Sequence, residues 1–248
     1  IPTLDGQLWV SGPSFHAILY PYVTGENGIE RQLSDRQWVE FGSTMRAFHE
    51  AQISREGMGR AVMSNEVVRR ITPVLSLIEQ NDLPDEVAVK MATFLKGKLD
   101  ELILMIDRLE ALRGHLNGWD PELVVCHGDI HAYNLLIDDE GRLFMIDWDT
   151  LVIAPRELDL MFIGAGIGET GRTSTEEEAL FYQGYGPVEV NREAIAYYRY
   201  ERILTDIAEY SEQIFLSDEG GADRYQSLEY MRANFQEGGT IDRARKTC

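Results

Sequence analysis

The segment from Val124 to Asp149 constrains the fold of this chain more than any other part of the sequence. It reads VVCHGDIHAYNLLIDDEGRLFMIDWD, in which short apolar runs alternate with polar residues and glycine. Runs of this length, bounded by Gly and Asp, are typical of strands rather than helices. A polar turn at 138–141 separates the last two runs, so the sequence predicts a β-hairpin there.

The hairpin brings two oxygen-bearing side chains to the same end of its strands. Asn134 precedes the first strand and Asp147 follows the second, so we expect them to lie close together. An amide oxygen and a carboxylate are hard ligands suited to Mg²⁺. Asp129 lies in the loop just before them, free to face a substrate. The alternative is that these Asp and Asn residues only stabilise turns, but this does not explain why Asp129 and Asp147 each adjoin an apolar strand.

The spacing H-G-D-x-x-x-x-N, followed by an apolar strand ending in I-D, resembles the catalytic and metal-binding segments of the protein-kinase-like fold. It is more similar to the aminoglycoside phosphotransferase branch, because Gly128 stands where protein kinases have Arg and Trp148-Asp149 follows the metal aspartate. The stretches LYPYVTGENG and ELDLMFIG look closest to the spectinomycin-type phosphotransferases of that group. The resemblance covers about residues 8–216.

This resemblance implies a role for each polar residue of the segment. Asp129 would accept or orient the acceptor hydroxyl, and Asn134 and Asp147 would hold Mg²⁺ against the nucleotide phosphates. His127 would support the catalytic loop by hydrogen bonding, and Asp159 would brace that loop from behind.

A strand followed by a break lies about a hundred residues ahead of this loop. Residues 15–20 are predicted to form a strand, and the segment 21–25, with Pro21 and Gly25, ends it. In the kinase-like fold such a segment is the hinge between the lobes. By resemblance the Tyr20 carbonyl and Tyr22 amide would meet the adenine of ATP, or the base of GTP, with Leu19 lining the pocket. Read without the resemblance, the same residues are an ordinary turn.

The rest of the chain has mainly helical periodicity. A capping-box pattern at 34–37 precedes apolar residues at helical spacing. One long central helix is predicted from the apolar stripe over 87–109, with Pro84 in its first turn, and further helices follow at 157–163, 175–185, 192–215 and 224–235. The predicted fold is α+β and protein-kinase-like, with a last piece of the N-terminal β lobe (1–20), the hinge (21–25) and a helical C-terminal catalytic and substrate-binding lobe (26–248).

Composition restricts the partners of this chain. The formal net charge is −19, from 23 basic and 42 acidic residues, which argues against a nucleic-acid surface. Such a charge attracts polycations, although solubility alone also explains it. No apolar run reaches the roughly 18–20 residues that cross a bilayer, and no secretory signal is visible. Cys126 and Cys248 are expected to be free thiols, which fits the cytoplasm.

One part of the family pattern is not found in this sequence. A phosphate-covering loop and a strand lysine normally precede the hinge strand, whereas Lys90, Lys96, Lys98 and Lys246 all lie downstream of it. The chain is therefore expected to be N-terminally incomplete.

The function implied is ATP- and Mg²⁺-dependent phosphorylation of a hydroxyl on a small cationic molecule. An aminoglycoside or aminocyclitol antibiotic is the first candidate, with resistance as the outcome. A choline, homoserine or sugar-amine kinase and a nucleotide-binding module without catalysis are the alternatives. A metal-dependent hydrolase normally needs more His or carboxylate ligands than this hairpin offers. Candidate substrate contacts are Asp149, Asp206, Glu209 and Tyr210. For Asp149 the alternative is support of the neighbouring metal aspartate, and for the three helix residues it is a solvated helix face, which is the usual role of such a charged stretch.

Overall fold

The computed structural model describes residues 1–80, 83–165, 170–217 and 221–247. Its strands are β1 (Val10–Ser11), β2 (His16–Ala17), β3 (Gly25–Asn27), β4 (Gly59–Arg60), β5 (Leu123–Cys126), β6 (Leu135–Asp138), β7 (Leu143–Met145) and β8 (Val152–Pro155). Its helices are α1 (Asp35–His49), α2 (Glu66–Leu77), α3 (Glu86–Lys96), α4 (Leu99–His115), α5 (Glu157–Leu160), α6 (Ser174–Tyr185), α7 (Arg192–Phe215), α8 (Gly221–Asn234) and α9 (Thr240–Arg245). None of the helices described is both long and apolar enough to cross a bilayer.

Two small three-stranded sheets frame the segment that the sequence singled out. The predicted hairpin is confirmed as β6–β7, with Leu135 opposite Met145, and β3 adds a third antiparallel strand. In the second sheet β8 lies between β5 and β4, with Cys126 opposite Val152. The chain passes from the second sheet to the first through 127–134 and returns through 146–151. These two connections therefore run side by side.

Helix α7 is the centre of the helical region. It packs against α2, α3, α4, α5, α8 and α9. Most of its side chains are buried, which makes it the principal element of the main hydrophobic core. The predicted helix over 192–215 is confirmed, but the central position that the sequence assigned to the stripe over 87–109 belongs to α7.

The prediction of one long helix over 87–109 is wrong. The stripe is divided into α3, which ends at Lys96, and α4, which begins at Leu99. Gly97 caps the first helix and has a low helix propensity, and Lys98 leaves helical geometry at φ −117°. Asp85 is the N-cap of α3, because its carboxylate accepts a hydrogen bond from the Ala88 amide at 3.0 Å, so Pro84 lies before the helix and not in its first turn.

The strand predicted over 15–20 is much shorter in the structure. Only His16 and Ala17 pair, with β1, in a two-stranded ribbon whose residues are exposed. A ribbon of two strands without an apolar layer against it extends poorly. Phe15 and Leu19, on either side of this short strand, are each 62% exposed, so no apolar packing extends it.

The capping box at the start of α1 is confirmed. The Ser34 amide donates to Gln37 Oε1 at 2.9 Å, and the Gln37 amide donates to Ser34 Oγ at 3.4 Å. Trp38, Phe41 and Met45 then face the core, as their spacing predicts.

Helices α1 and α6 approach each other at two glycines, Gly42 and Gly184. A Cβ atom on Gly42 would overlap the carbonyl oxygen of Phe181, and one on Gly184 would overlap that of Val39. Backbone atoms of two packed helices cannot move aside as a flexible side chain does. The sequence Phe-Gly in α1 and Gln-Gly in α6 therefore permits the close crossing of these helices.

We expect Gly184→Ala to lower the free energy of unfolding by about 1–3 kcal/mol, the usual cost of overpacking. Gly114→Ala is the matched control, because a Cβ there meets nothing within 4 Å. Alanine is the better helix former by about 1 kcal/mol, so this control should not destabilise the protein. Urea denaturation of both variants checks the prediction, and equal stabilities would contradict it.

Candidate active site

The loop 127–134 is anchored by Asp159 from the first turn of α5. The Asp159 carboxylate accepts hydrogen bonds from the amides of His127 (Oδ2, 2.8 Å) and Gly128 (Oδ1, 2.8 Å). The buried ring of His49, on α1, contacts Oδ2 at 2.9 Å through Nε2 and the Tyr185 hydroxyl at 2.7 Å through Nδ1. Asp159 is only 1% exposed, so these donors are what stabilises its buried charge.

The imidazole of His127 links the two neighbouring segments, 127–134 and 146–151. Its Nδ1 accepts from the Asp129 amide at 3.4 Å, and its Nε2 lies 2.9 Å from the Ile146 carbonyl oxygen. A ring that accepts at Nδ1 and donates at Nε2 is the neutral tautomer. The ring also packs on Trp148, with centroids 4.7 Å apart. His127 therefore holds the loop in register with the strand end that leads to Asp147.

The close approach of the segments 127–134 and 146–151 requires a glycine at position 128. Its φ is +86°, and a Cβ atom would lie 2.6 Å from the Thr150 carbonyl oxygen. The Thr150 hydroxyl also donates to the His127 carbonyl at 2.7 Å, which closes the two connections against each other. The small residue in H-G-D thus permits a contact that a larger side chain would block.

Asn134 directly precedes β6 and Asp147 follows β7, at the same end of the hairpin, as the sequence predicts. The Ile146 amide donates to the Asn134 carbonyl at 3.0 Å, so the backbone at 134 faces the residue just before Asp147. Asn134 is buried, and its Nδ2 donates to the Asp129 carbonyl at 2.7 Å. That bond fixes the amide so that Oδ1 remains available.

Asp147 has an unusual backbone conformation. With φ +62° and ψ +63°, it is the only non-glycine residue with positive φ in the described part of the chain. Such strain persists where the surroundings impose it, often at functional sites. Its side chain is exposed, and within the described ranges neither its carboxylate nor Asn134 Oδ1 accepts a hydrogen bond. Two uncommitted hard oxygens at one strand end fit the requirements of Mg²⁺.

Asp129 is held through one carboxylate oxygen. Arg202 Nη1 lies 2.5 Å and His131 Nε2 lies 3.5 Å from Oδ1. No described residue donates to Oδ2. Burial raises the pKa of Asp129, but the hydrogen bond to His131 and the charges of Arg202 and His131 outweigh it and lower the pKa to about 2. The carboxylate is therefore ionised at neutral pH.

Arg202 and His131 were not identified from the sequence. Arg202 lies on α7 and also contacts Asp206, at 2.9 Å between Nε and Oδ1. Burial raises the pKa of Asp206 to about 6, against the opposing effect of Arg202. The only sequence signal for Arg202 is its i, i+4 spacing to Asp206. Its contact with Asp129 joins residues 73 positions apart, which local patterns do not encode.

A cavity of about 1040 Å³ opens next to the two residues that contact Asp129, although Asp129 itself is not among the residues that line it. Asp206 and Tyr210, two of the four candidate substrate residues, line it together with His131 and Arg202. Burial raises the pKa of Tyr210 to about 12, so its hydroxyl stays a donor. Two further tyrosines, Tyr133 and Tyr230, face the same space.

The other candidate contacts lie outside the lining of that cavity. Glu209 is bound to Arg70 at 3.0 Å. Asp149 is exposed in the short 3₁₀ turn after Asp147. The predicted hinge residues Leu19, Tyr20 and Tyr22 are 62%, 66% and 92% exposed and do not line it either. Cys126 is a buried free thiol, whereas Cys248 lies outside the described residues.

We expect Asp159→Asn to lower the free energy of unfolding by about 3 kcal/mol, as when a buried charged contact loses one partner. The new amide nitrogen would face a backbone N–H or His49, so a donor would meet a donor. Asp139→Asn, in the exposed turn of the β6–β7 hairpin, is the control. Chemical denaturation measures both variants. If Asp159→Asn were no less stable than the control, the anchoring role would be wrong.

Comparison with known families assigns the chain to a class. The family model described as the phosphotransferase enzyme family (APH) matches residues 3–197, and the chain belongs to this family. Its members transfer a phosphoryl group to a hydroxyl, so this chain is a phosphotransferase with an alcohol group as acceptor.

The chain is also similar to solved structures of spectinomycin phosphotransferase, APH(9)-Ia. The complex of that enzyme with ADP and spectinomycin has a TM-score of 0.90 and 29% identity, over all of this chain and 76% of that one. Its AMP-bound complex has a TM-score of 0.88 and 29% identity, over 99% and 77% of the two chains. An aminoglycoside phosphotransferase from Alicyclobacillus acidocaldarius, at 14% identity and a TM-score of 0.61 over 99% and 76%, shares the fold.

Proposed function

We propose that this protein transfers the terminal phosphoryl group of ATP, in a Mg²⁺-dependent reaction, to a hydroxyl of an aminoglycoside or aminocyclitol antibiotic and so confers resistance. The observation that carries the proposal is the geometry at Asp129. One oxygen of its ionised carboxylate is held by Arg202 and His131, which line the cavity, and the other accepts no hydrogen bond from a described residue. The likeness to a phosphotransferase solved with ADP and spectinomycin supports the choice of acceptor.

Asp129 would act by orienting the acceptor hydroxyl. Phosphoryl transfer depends mainly on positioning and charge stabilisation. The hydroxyl would donate to Oδ2 of Asp129, which aligns its oxygen for attack and receives its proton as the new bond forms. The Asp159 carboxylate and the His127 ring keep the loop rigid, so that this oxygen does not move away from the acceptor.

Asn134 and Asp147 would hold the metal ion at the adjoining strand ends. Bound there, Mg²⁺ would neutralise charge on the nucleotide phosphates. The Tyr20 carbonyl and the Tyr22 amide would contact the nucleotide base, with Leu19 against its ring, and GTP is an alternative donor. ATP is abundant in the cytoplasm, which is where we place the activity.

A kinase acting on choline, homoserine or a sugar amine is the second candidate. The lining of the cavity favours it in one respect, because arginines such as Arg202 and Arg199 offset its carboxylates. A cavity whose carboxylates are offset by arginines does not require a polycationic acceptor. A nucleotide-binding module without catalysis is the third reading, but such a module has no use for the arrangement around Asp129.

An ATP-consumption assay across aminoglycosides, spectinomycin, choline and homoserine tests the proposal. We expect turnover to be fastest with an aminocyclitol or aminoglycoside and to require Mg²⁺. Faster turnover of choline or homoserine would replace the proposal with the second candidate. Nucleotide binding without turnover of any acceptor would refute both.

A further inference from the structure

The cavity lined by His131 and Arg202 differs in charge from the chain as a whole. The chain has a formal net charge of −19, yet its cavity is not acidic over the residues that the structure describes. The arginines in that lining are Arg172, Arg199, Arg202 and Arg243. The carboxylates in it are Glu176, Asp206 and Glu237. A polycationic acceptor therefore meets no excess of negative charge along these side chains.

Arg199 adds a buried positive charge to this lining. It is 7% exposed and donates to the Met161 carbonyl at 2.8 Å and to the Thr247 hydroxyl at 2.7 Å. A third bond goes to the Ile163 carbonyl at 2.5 Å. All three partners are neutral, and in the described part of the chain no carboxylate forms an ion pair with Arg199. Its charge is therefore only partly offset and repels cations that enter the cavity.

Arg202 occupies the carboxylates that an ammonium group would otherwise contact. Its guanidinium bridges Asp129 Oδ1 at 2.5 Å and Asp206 Oδ1 at 2.9 Å. The guanidinium carbon also lies 5.8 Å from the ring centre of Phe162, a cation–π distance. With these three contacts, the side chain is fixed between α7 and the catalytic loop. One positive charge is thus shared between two carboxylates, and each of them is partly offset from within the protein.

We propose that Arg202 determines acceptor specificity by repelling polycations, so that the cavity accepts hydroxyl compounds with one or two ammonium groups. This inference rests on the proposed phosphotransferase function and narrows its acceptor class. An acceptor with one or two cations can direct them away from Arg202 and Arg199. A tetra-amine cannot, because its charges are spread over the whole molecule. Repulsion of the wrong ligand is a general source of specificity.

The test compares two acceptors, spectinomycin, which has two amines, and a tetra-amine aminoglycoside. We expect the wild-type protein to have the higher kcat/KM for spectinomycin. Arg202→Gln should shift the ratio of the two kcat/KM values toward the tetra-amine by at least about tenfold, a change in differential binding of about 1.4 kcal/mol. Arg202 also touches Asp129, so turnover of both acceptors will fall, and the ratio isolates specificity from that loss.

Two further variants separate charge from structure. Arg202→Lys retains the positive charge and should keep the wild-type ratio. Arg70→Gln removes the same charge from α7's outer ion pairs with Glu209 and Glu212, which lie outside the cavity lining, and should leave the ratio unchanged. An unchanged ratio in Arg202→Gln, or an equal shift in Arg70→Gln or in Arg202→Lys, would overturn the proposal.

Calorimetric titration with spermine, a tetra-amine that needs no turnover, gives a second measurement. Folded Arg202→Gln, checked by its melting curve, should bind spermine at least about tenfold more tightly than the wild type and Arg70→Gln do. Equal affinity, including no measurable binding to either protein, would refute the role of Arg202. Failure of every acceptor in the kinetic assay would instead refute the proposed function, because the spermine result does not depend on it.

Discussion

Replacing Asp129 by asparagine is expected to lower kcat by about 10²- to 10⁴-fold, the range that a positioned acid–base group contributes. Asparagine has almost the same shape, but its amide is a poor acceptor for the hydroxyl proton. Nucleotide affinity should change little, because the side-chain contacts of Asp129 are with Arg202 and His131. Steady-state kinetics and a nucleotide titration on the same preparation measure both quantities.

The control for this variant is Asp139→Asn, which removes the same charge from an exposed turn. It should keep wild-type kcat, so a general effect of net charge is excluded. The melting temperature of Asp129→Asn shows whether the loop remains folded. If a folded Asp129→Asn protein turned over at the wild-type rate, the catalytic assignment would be wrong.

Replacing Asp147 by asparagine is expected to weaken Mg²⁺-dependent nucleotide binding by more than about tenfold. Residues that merely support a metal ligand already contribute ten- to hundredfold, and a direct ligand should contribute at least as much. Asparagine tolerates the left-handed conformation of this residue, at φ +62°, so the substitution removes charge without new backbone strain. Turnover should fall with the affinity.

Nucleotide binding without free Mg²⁺ is the reference condition. In the presence of a chelator, wild-type protein and Asp147→Asn should bind nucleotide equally, because neither holds the ion. With Mg²⁺ added, only the wild type should gain affinity. The same gain in both proteins would show that Asp147 does not hold the metal.

Much of the fold and of the candidate site could be predicted from local sequence patterns. The strands β5, β6 and β7 alternate with polar turns at short range, and the capping box of α1 and the full span of α7 are encoded by neighbouring residues. Predictions from local sequence patterns were wrong where the extent of a helix or strand depends on burial. The stripe over 87–109 continues across Gly97, but the helix does not, and the apolar residues 15–20 form only a two-residue strand.

The sequence alone determined the family and predicted the candidate catalytic loop with its neighbouring strand end, because Asp129, Asn134 and Asp147 lie within one short stretch whose hairpin brings the strand ends together. Only the tertiary structure revealed Arg202 and the charge of the cavity beside it. The contact between Arg202 and Asp129 joins α7 to a loop 73 residues earlier. Net charge is a sum over the whole chain, whereas an acceptor experiences the nearby groups, and their distances depend on how the helices pack.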